Sequence, residues 1–161
     1  KSNKGKILFY RSLFIAALAV TIIAVPLWAD GIKIMEPYAR VASPNSKSGA
    51  AFMMLENQTI LNDRLLSARS NSAKRVELHT HVETGDGVMQ MTEIKDGIEL
   101  RPGVTHHLKR GADHIMLMGL TEPLKQDFAI DITLIFEKAG EIIVSVPIDN
   151  NRKPTETAHS H

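Results

Sequence analysis

Histidine and methionine are concentrated in one part of this chain, and they are the residues best suited to chemistry. Five of the seven histidines and four of the seven methionines lie between residues 77 and 120. Imidazole nitrogen and thioether sulfur together favour a soft, polarisable metal ion, and copper(I) is the first candidate. The four strongest candidate ligands are His79, Met91, His114 and Met116. The sequence therefore predicts a copper(I) site.

The absence of cysteine from the sequence limits the chemistry that such a site can perform. Blue-copper electron transfer needs a cysteine thiolate, so it is excluded, and cysteine-ligated zinc sites are excluded for the same reason. Any copper ion must be held by neutral ligands, with or without a carboxylate. Because no Ser/His/Asp arrangement or carboxylate pair indicates hydrolysis, we expect a binding protein and not an enzyme.

Short strands and frequent turns are predicted along the whole chain after its first segment. Turn signals recur about every ten residues, a spacing typical of an all-β sandwich or small barrel. Residues 84–87 include an Asp-Gly pair, which predicts a hairpin turn between strands over residues 74–81 and 88–94. His106 and His107 follow another turn and are expected to be loop residues.

Strand alternation predicts the direction in which the ligands point. On the strand predicted over residues 114–120, His114 and Met116 share the face opposite the branched apolar residues. His79 is placed in the same way on the strand over residues 74–81. We therefore expect the ligands to project away from the core and to form a shallow site that another protein can reach.

Three neighbouring residues are weaker candidates for the same site. Met89 is a rival to Met91 because both lie on the returning strand of the hairpin. His81 shares the face of His79 and is an auxiliary candidate, although we favour a surface role for it. Met118 is favoured as a structural or rim residue over a direct ligand, since methionine is a common filler of apolar gaps. The other three methionines, Met35, Met53 and Met54, are expected to fill the core.

The first 29 residues have the pattern of a secretory signal peptide. Basic residues precede an apolar run over residues 13–27, and Ala29 supplies a small residue for cleavage. An uncleaved anchor is the alternative reading, but the run is short for a membrane span and contains a proline. Since no cysteine follows it, we expect no lipoprotein anchor. Export to the periplasm is the predicted localisation.

Cleavage divides the chain into a domain over residues 30–149 and a polar tail over residues 150–161, which is predicted to be disordered. The remaining 132 residues are enough for one domain with one core. The leader contains four of the 19 basic residues, so 15 remain against 18 acidic residues, a formal charge of −3. This balance predicts neither a nucleic-acid partner nor binding to an anionic membrane after cleavage.

The four candidate ligands are separated by 11, 22 and one intervening residues, and this pattern resembles the periplasmic copper A chaperone (PCuAC) family. The resemblance extends over residues 32–148, including the Glu-Leu-His sequence ending at His79 and the His-Ile-Met-Leu-Met-Gly-Leu sequence beginning at His114. It implies a cupredoxin-like Greek-key β-barrel that holds one copper(I) ion through those four residues. It further implies delivery to the CuA centre of cytochrome c oxidase or to another periplasmic copper chaperone.

The chain departs from the family pattern at several positions. Ala112 and Asp113 stand where a second glycine is usual, and the first two spacers are about one residue longer than usual. His159 and His161 are the only metal-ligand candidates in a tail that is His/Met-rich in some members. Three alternatives stay open: copper buffering without directed delivery, a copper oxidase that uses the histidines, and a metal-free interaction sandwich.

Overall fold

The computed structural model describes residues 31–85 and 87–153, which form ten strands and their connecting turns without a helix. Every strand pair is antiparallel, and the predicted hairpin between the strands over residues 74–81 and 88–94 is present. The predicted all-β fold is confirmed. The strands are β1 (Ile32–Val41), β2 (Ser48–Asn57), β3 (Asp63–Arg69), β4 (Ala73–Glu83), β5 (Met89–Glu93), β6 (Ile98–Leu100), β7 (Thr105–Leu108), β8 (His114–Leu120), β9 (Ala129–Phe136) and β10 (Gly140–Pro147).

Two sheets pack face to face around a single apolar core. One sheet has the order β1-β2-β8-β4-β5, with β7 also paired to β2, and the other has the order β10-β9-β3-β6. Leu55, Ile115, Leu117, Ile132 and Leu134 are among the fully buried side chains between them. Alternation along each strand sends these residues inward and leaves their neighbours on the outer faces.

Of the three methionines expected in the core, only Met53 lies there, with 2 % of its surface exposed. Met35 and Met54 are half-buried cross-strand partners on β1 and β2, and neither belongs to the core cluster. The reason is alternation: Met53 and Met54 are neighbours on one strand, so only one of them can face the opposite sheet.

Strands β7 and β8 lie end to end along the same side of β2. Strand β8 pairs with residues 48–51 of β2, and β7 pairs with residues 53–56. Residues 109–113 form the turn between them, next to Phe52. His106 and His107 are therefore strand residues paired with β2, and the expectation that they lie in a loop is wrong. Pairing with β2 satisfies the backbone hydrogen bonds of this segment. The sequence does not show this pairing, because the segment is a short polar run.

The predicted leader over residues 1–29 lies outside the described residues, as does most of the predicted tail. Residues 150–153 of that tail are described, and Asn150 accepts a hydrogen bond from the backbone N–H of Val41 at 3.0 Å. Arg152 donates to the Glu36 carboxylate and lies 4.4 Å above the ring of Tyr38. Within residues 31–85 and 87–153, the structure contains no helix long and apolar enough to cross a membrane.

Candidate metal centre

Cross-strand pairing brings the candidate ligands together on the outer face of the six-stranded sheet. His79 on β4 is directly opposite His114 on β8, and Met116 follows two residues later on the same face. On the other side of β4, His81 is opposite Met91 of β5. Because residues opposite each other in a sheet share a face, the side chains of three adjacent strands converge there.

The site is deeper than the sequence pattern indicates. Only 3 % of the surface of His114 is exposed, whereas 49 % of the surface of Met91 is exposed. The ring of Phe52 lies 6.1 Å from that of His114. The turn over residues 109–113 immediately precedes His114. The expectation of a shallow site is therefore wrong for His114. Its face points away from the core as predicted, but the turn and the neighbouring aromatic ring cover it.

A backbone carbonyl orients the His114 ring. The Nδ1 atom of His114 lies 2.8 Å from the carbonyl oxygen of Ala112, so we assign the ring proton to Nδ1 and the free lone pair to Nε2. The same carbonyl oxygen is 3.4 Å from Nδ1 of His81. Holding one ring nitrogen by a carbonyl while the other is free is the usual arrangement of a metal-binding histidine.

His79 is oriented by a carboxylate instead. Its Nε2 atom donates to Oε2 of Glu77 at 2.8 Å, and Arg75 binds the other carboxylate oxygen at 3.0 Å. The Nδ1 atom of His79 is buried, and it has no hydrogen-bond partner in the described part of the chain. Buried polar atoms are nearly always satisfied, so an orphaned imidazole nitrogen beside other ligand residues fits a metal ligand.

A pocket of about 430 Å³ opens beside these side chains. No carboxylate lies among the described residues that line it, and two arginines do. Hard dications such as Ca²⁺ and Mg²⁺ require oxygen ligands, so the absence of a lining carboxylate disfavours them, whereas the imidazole and thioether groups suit a softer ion. The lining residues that bear on metal binding are Arg40, His81, Met91, Arg110, His114 and Met116.

A site on this face with three or more ligands would include a thioether. Across residues 31–85 and 87–153, no group of three or more His, Cys, Asp or Glu side chains is arranged to hold a metal ion. The rings of His79 and His114 are 5.9 Å apart, which places two imidazoles within reach of one ion. Met91 and Met116 are the sulfur donors that border the same pocket.

His81 and Phe52 are the site residues that sequence reasoning undervalued. His81 lines the pocket although a surface role was favoured for it, and its ring lies 5.2 Å from that of His114. Its position two residues from His79 on one strand was a usable signal, because such residues share a face. Phe52 had no such signal, since its contact with His114 depends on how β2 and β8 pair.

Burial of His114 makes the stability of the metal-free protein depend on pH. Desolvation lowers the pKa of His114 below its usual value of 6.5, and the nearby His81 and His79 lower it further. Below pH 6.5 the unfolded chain binds a proton at this residue that the folded chain does not, so folding stability decreases as the pH falls from 7.5 to 5.0. We expect a smaller decrease in a His114→Gln variant, measured by urea unfolding at both pH values. Equal decreases in the two proteins would contradict this assignment.

Comparison with known proteins supports this fold. The family model "Putative lipoprotein LpqE-like" matches residues 32–148. "Putative lipoprotein Lxx21020" of Leifsonia xyli subsp. xyli (strain CTCB07) is 35% identical over 120 residues, which cover 74% of this chain and 70% of the relative. The copper(I) form of DR1885 from Deinococcus radiodurans is 29% identical, with a TM-score of 0.57 over 78% of this chain and 84% of that one.

Two further solved structures are similar in fold. The apo PCuAC domain from PmoF1 has a TM-score of 0.64 and 20% identity over 74% of this chain and 94% of that domain. The copper-bound PCuAC domain from PmoF2 has a TM-score of 0.61 and 24% identity over 74% of this chain and 93% of that domain. The architecture is thus the cupredoxin-like β-sandwich of PCuAC domains, and the resemblance predicted from the sequence is confirmed. The chain belongs to the LpqE-like family.

Proposed function

We propose that this protein is an exported copper(I) chaperone that binds one ion through His79, Met91, His114 and Met116. The observation that carries the proposal is the convergence of two imidazoles and two thioethers on one sheet face, beside a pocket without a lining carboxylate. Membership of the family and a 29% identical relative described in a copper(I) form support it. Four neutral ligands compensate none of the charge of a bound ion, so a monocation is less costly to hold than a dication, and imidazole and thioether donors favour a soft one.

Release proceeds by ligand exchange and involves no catalysis. Met91 is half-exposed at the rim of the pocket, whereas His114 is buried beneath the turn over residues 109–113. An incoming ligand from an acceptor reaches the Met91 side first, so that bond is replaced before the buried ones. The proposed acceptor is the CuA centre of cytochrome c oxidase or another periplasmic copper chaperone.

An anaerobic titration tests copper(I) binding directly. The chain over residues 30–161 is titrated with copper(I) in competition with a coloured copper(I) chelator, and with zinc in a parallel experiment. We expect one tight equivalent of copper(I) that zinc does not displace, because thioethers are poor ligands for zinc. A protein that fails to compete with the chelator, or that binds zinc as tightly as copper(I), would contradict the proposal.

Directed delivery and simple buffering differ in the rate of transfer. If the protein is a chaperone, copper(I) passes to a soluble CuA domain faster than to a small chelator of equal affinity. Equal rates would indicate buffering. Turnover of a reductant under oxygen by the copper-loaded protein would instead indicate an oxidase.

A further inference from the structure

His81, and not His79, is the second histidine that lines the pocket beside His114. The pocket is lined by His81 together with Met91, His114 and Met116, and His79 is not among its lining residues. His79 has 14% of its side chain exposed, its Nε2 atom is held by Glu77, and its Nδ1 atom is buried. The structure therefore offers two imidazoles as partners for His114, one outside the pocket lining with a buried Nδ1 atom and one that lines the pocket.

Both distances to His114 suit a shared metal ion. A metal–nitrogen bond of about 2.0–2.1 Å puts an imidazole centre roughly 3 Å from the metal, so two rings on one ion have centres about 5–6 Å apart. The ring centre of His81 is 5.2 Å from that of His114, and the ring centre of His79 is 5.9 Å away. His81 directs Nδ1 towards the Ala112 carbonyl oxygen at 3.4 Å, which leaves Nε2 as its metal-binding atom.

The register of the hairpin places the thioether of Met91 beside His81. Met91 is directly opposite His81, whereas the residue opposite His79 is Glu93. One step of two residues along a strand is about 7 Å, so Met91 is closer to the row of His81 than to that of His79. An ion bound to Met91 therefore lies towards the pocket opening, where His81 is the nearer imidazole.

We propose that His79 and His81 are interchangeable ligands of copper(I), so that the ion has an inner and an outer bound arrangement. His114, Met91 and Met116 are common to both. His79 completes the inner arrangement, and His81 completes the outer one, at the opening where an acceptor protein docks. This inference rests on the proposed function and adds a ligand that carries the ion from the buried site to the rim.

A double-mutant cycle tests the exchange of the two histidines. Copper(I) affinities are measured by chelator competition for His79→Leu, His81→Leu and the double variant. Interchangeable ligands compensate for each other, so each single variant is expected to lose about tenfold or less. The double variant is expected to lose at least about tenfold more than the product of the two single losses.

Two results would overturn the inference. His81 is a bystander if His81→Leu binds copper(I) like the parent and the double variant matches His79→Leu. Both histidines are required together, and are not interchangeable, if either single variant loses as much affinity as the double variant. His107→Leu is the matched control, because His107 is an exposed histidine on β7 outside the pocket lining, and it should bind like the parent.

A spectroscopic measurement separates ligand loss from misfolding. In ¹⁵N-labelled protein, copper(I) should shift Nδ1 of His79 in the His81→Leu variant and Nε2 of His81 in the His79→Leu variant. Absence of the His81 shift in folded, copper-loaded His79→Leu would also overturn the inference. If the parent protein itself binds no copper(I), the proposed function fails. If the parent binds one equivalent and the cycle is additive, only the exchange of histidines fails.

Discussion

Replacing Met91 and Met116 together with leucine is expected to lower copper(I) affinity by at least about a hundredfold, or about 2.7 kcal/mol. The change removes both soft donors beside the pocket, and no group of three His, Cys, Asp or Glu side chains in the described residues can hold a metal without them. Leucine has a volume close to that of methionine, so the fold should be retained. Chelator competition measures the affinity, and thermal unfolding checks the fold.

The matched control replaces Met89 and Met118 with leucine. These residues lie on the same two strands as Met91 and Met116, each displaced by two residues. Met89 is opposite Glu83 and outside the pocket lining, and Met118 accepts a hydrogen bond from Arg75 at 3.4 Å. The control variant should bind copper(I) nearly as tightly as the parent. If it loses affinity while the Met91 and Met116 variant keeps it, the sulfur ligands have been assigned to the wrong methionines.

The Asp63→Ala substitution is expected to destabilise the protein by about 3 kcal/mol and to lower Tm by roughly 10 °C. Asp63 is 5% exposed at the start of β3. Its carboxylate accepts backbone N–H bonds from Arg64 at 2.7 Å and from Lys138 and Ala139 at 2.9 Å each. Alanine would leave three donors without this partner and would detach β3 from the turn between β9 and β10. Urea and thermal unfolding measure the loss.

The Asp131→Ala variant is the control for this loss, since Asp131 is an exposed residue on β9 of the same sheet. Its expected effect is within about 0.5 kcal/mol. At a temperature where it remains folded, Asp63→Ala should still bind copper(I), because Asp63 and the metal site lie on different sheets. A stability change in Asp63→Ala as small as that of the control would show that water replaces the carboxylate at little cost.

Local patterns in the sequence determined the fold class and the set of candidate ligands. Period-two alternation on β8 directs Ile115 and Leu117 into the core, so His114 and Met116 must share the opposite face. The Asp-Gly signal likewise determined the β4–β5 hairpin, which brings Met91 back beside β4. These features depend on neighbours a few residues apart, which is why the sequence alone could predict them.

Long-range strand pairing decided what the sequence could not. The burial of His114 depends on β7 and β8 lying end to end along β2, because that arrangement places Phe52 and the turn over residues 109–113 around its ring. The position of His81 in the pocket depends on the register that places it opposite Met91. Alternation predicts which face a side chain occupies. Only the register between strands distant in sequence determines which side chains meet on that face and how deeply they are buried.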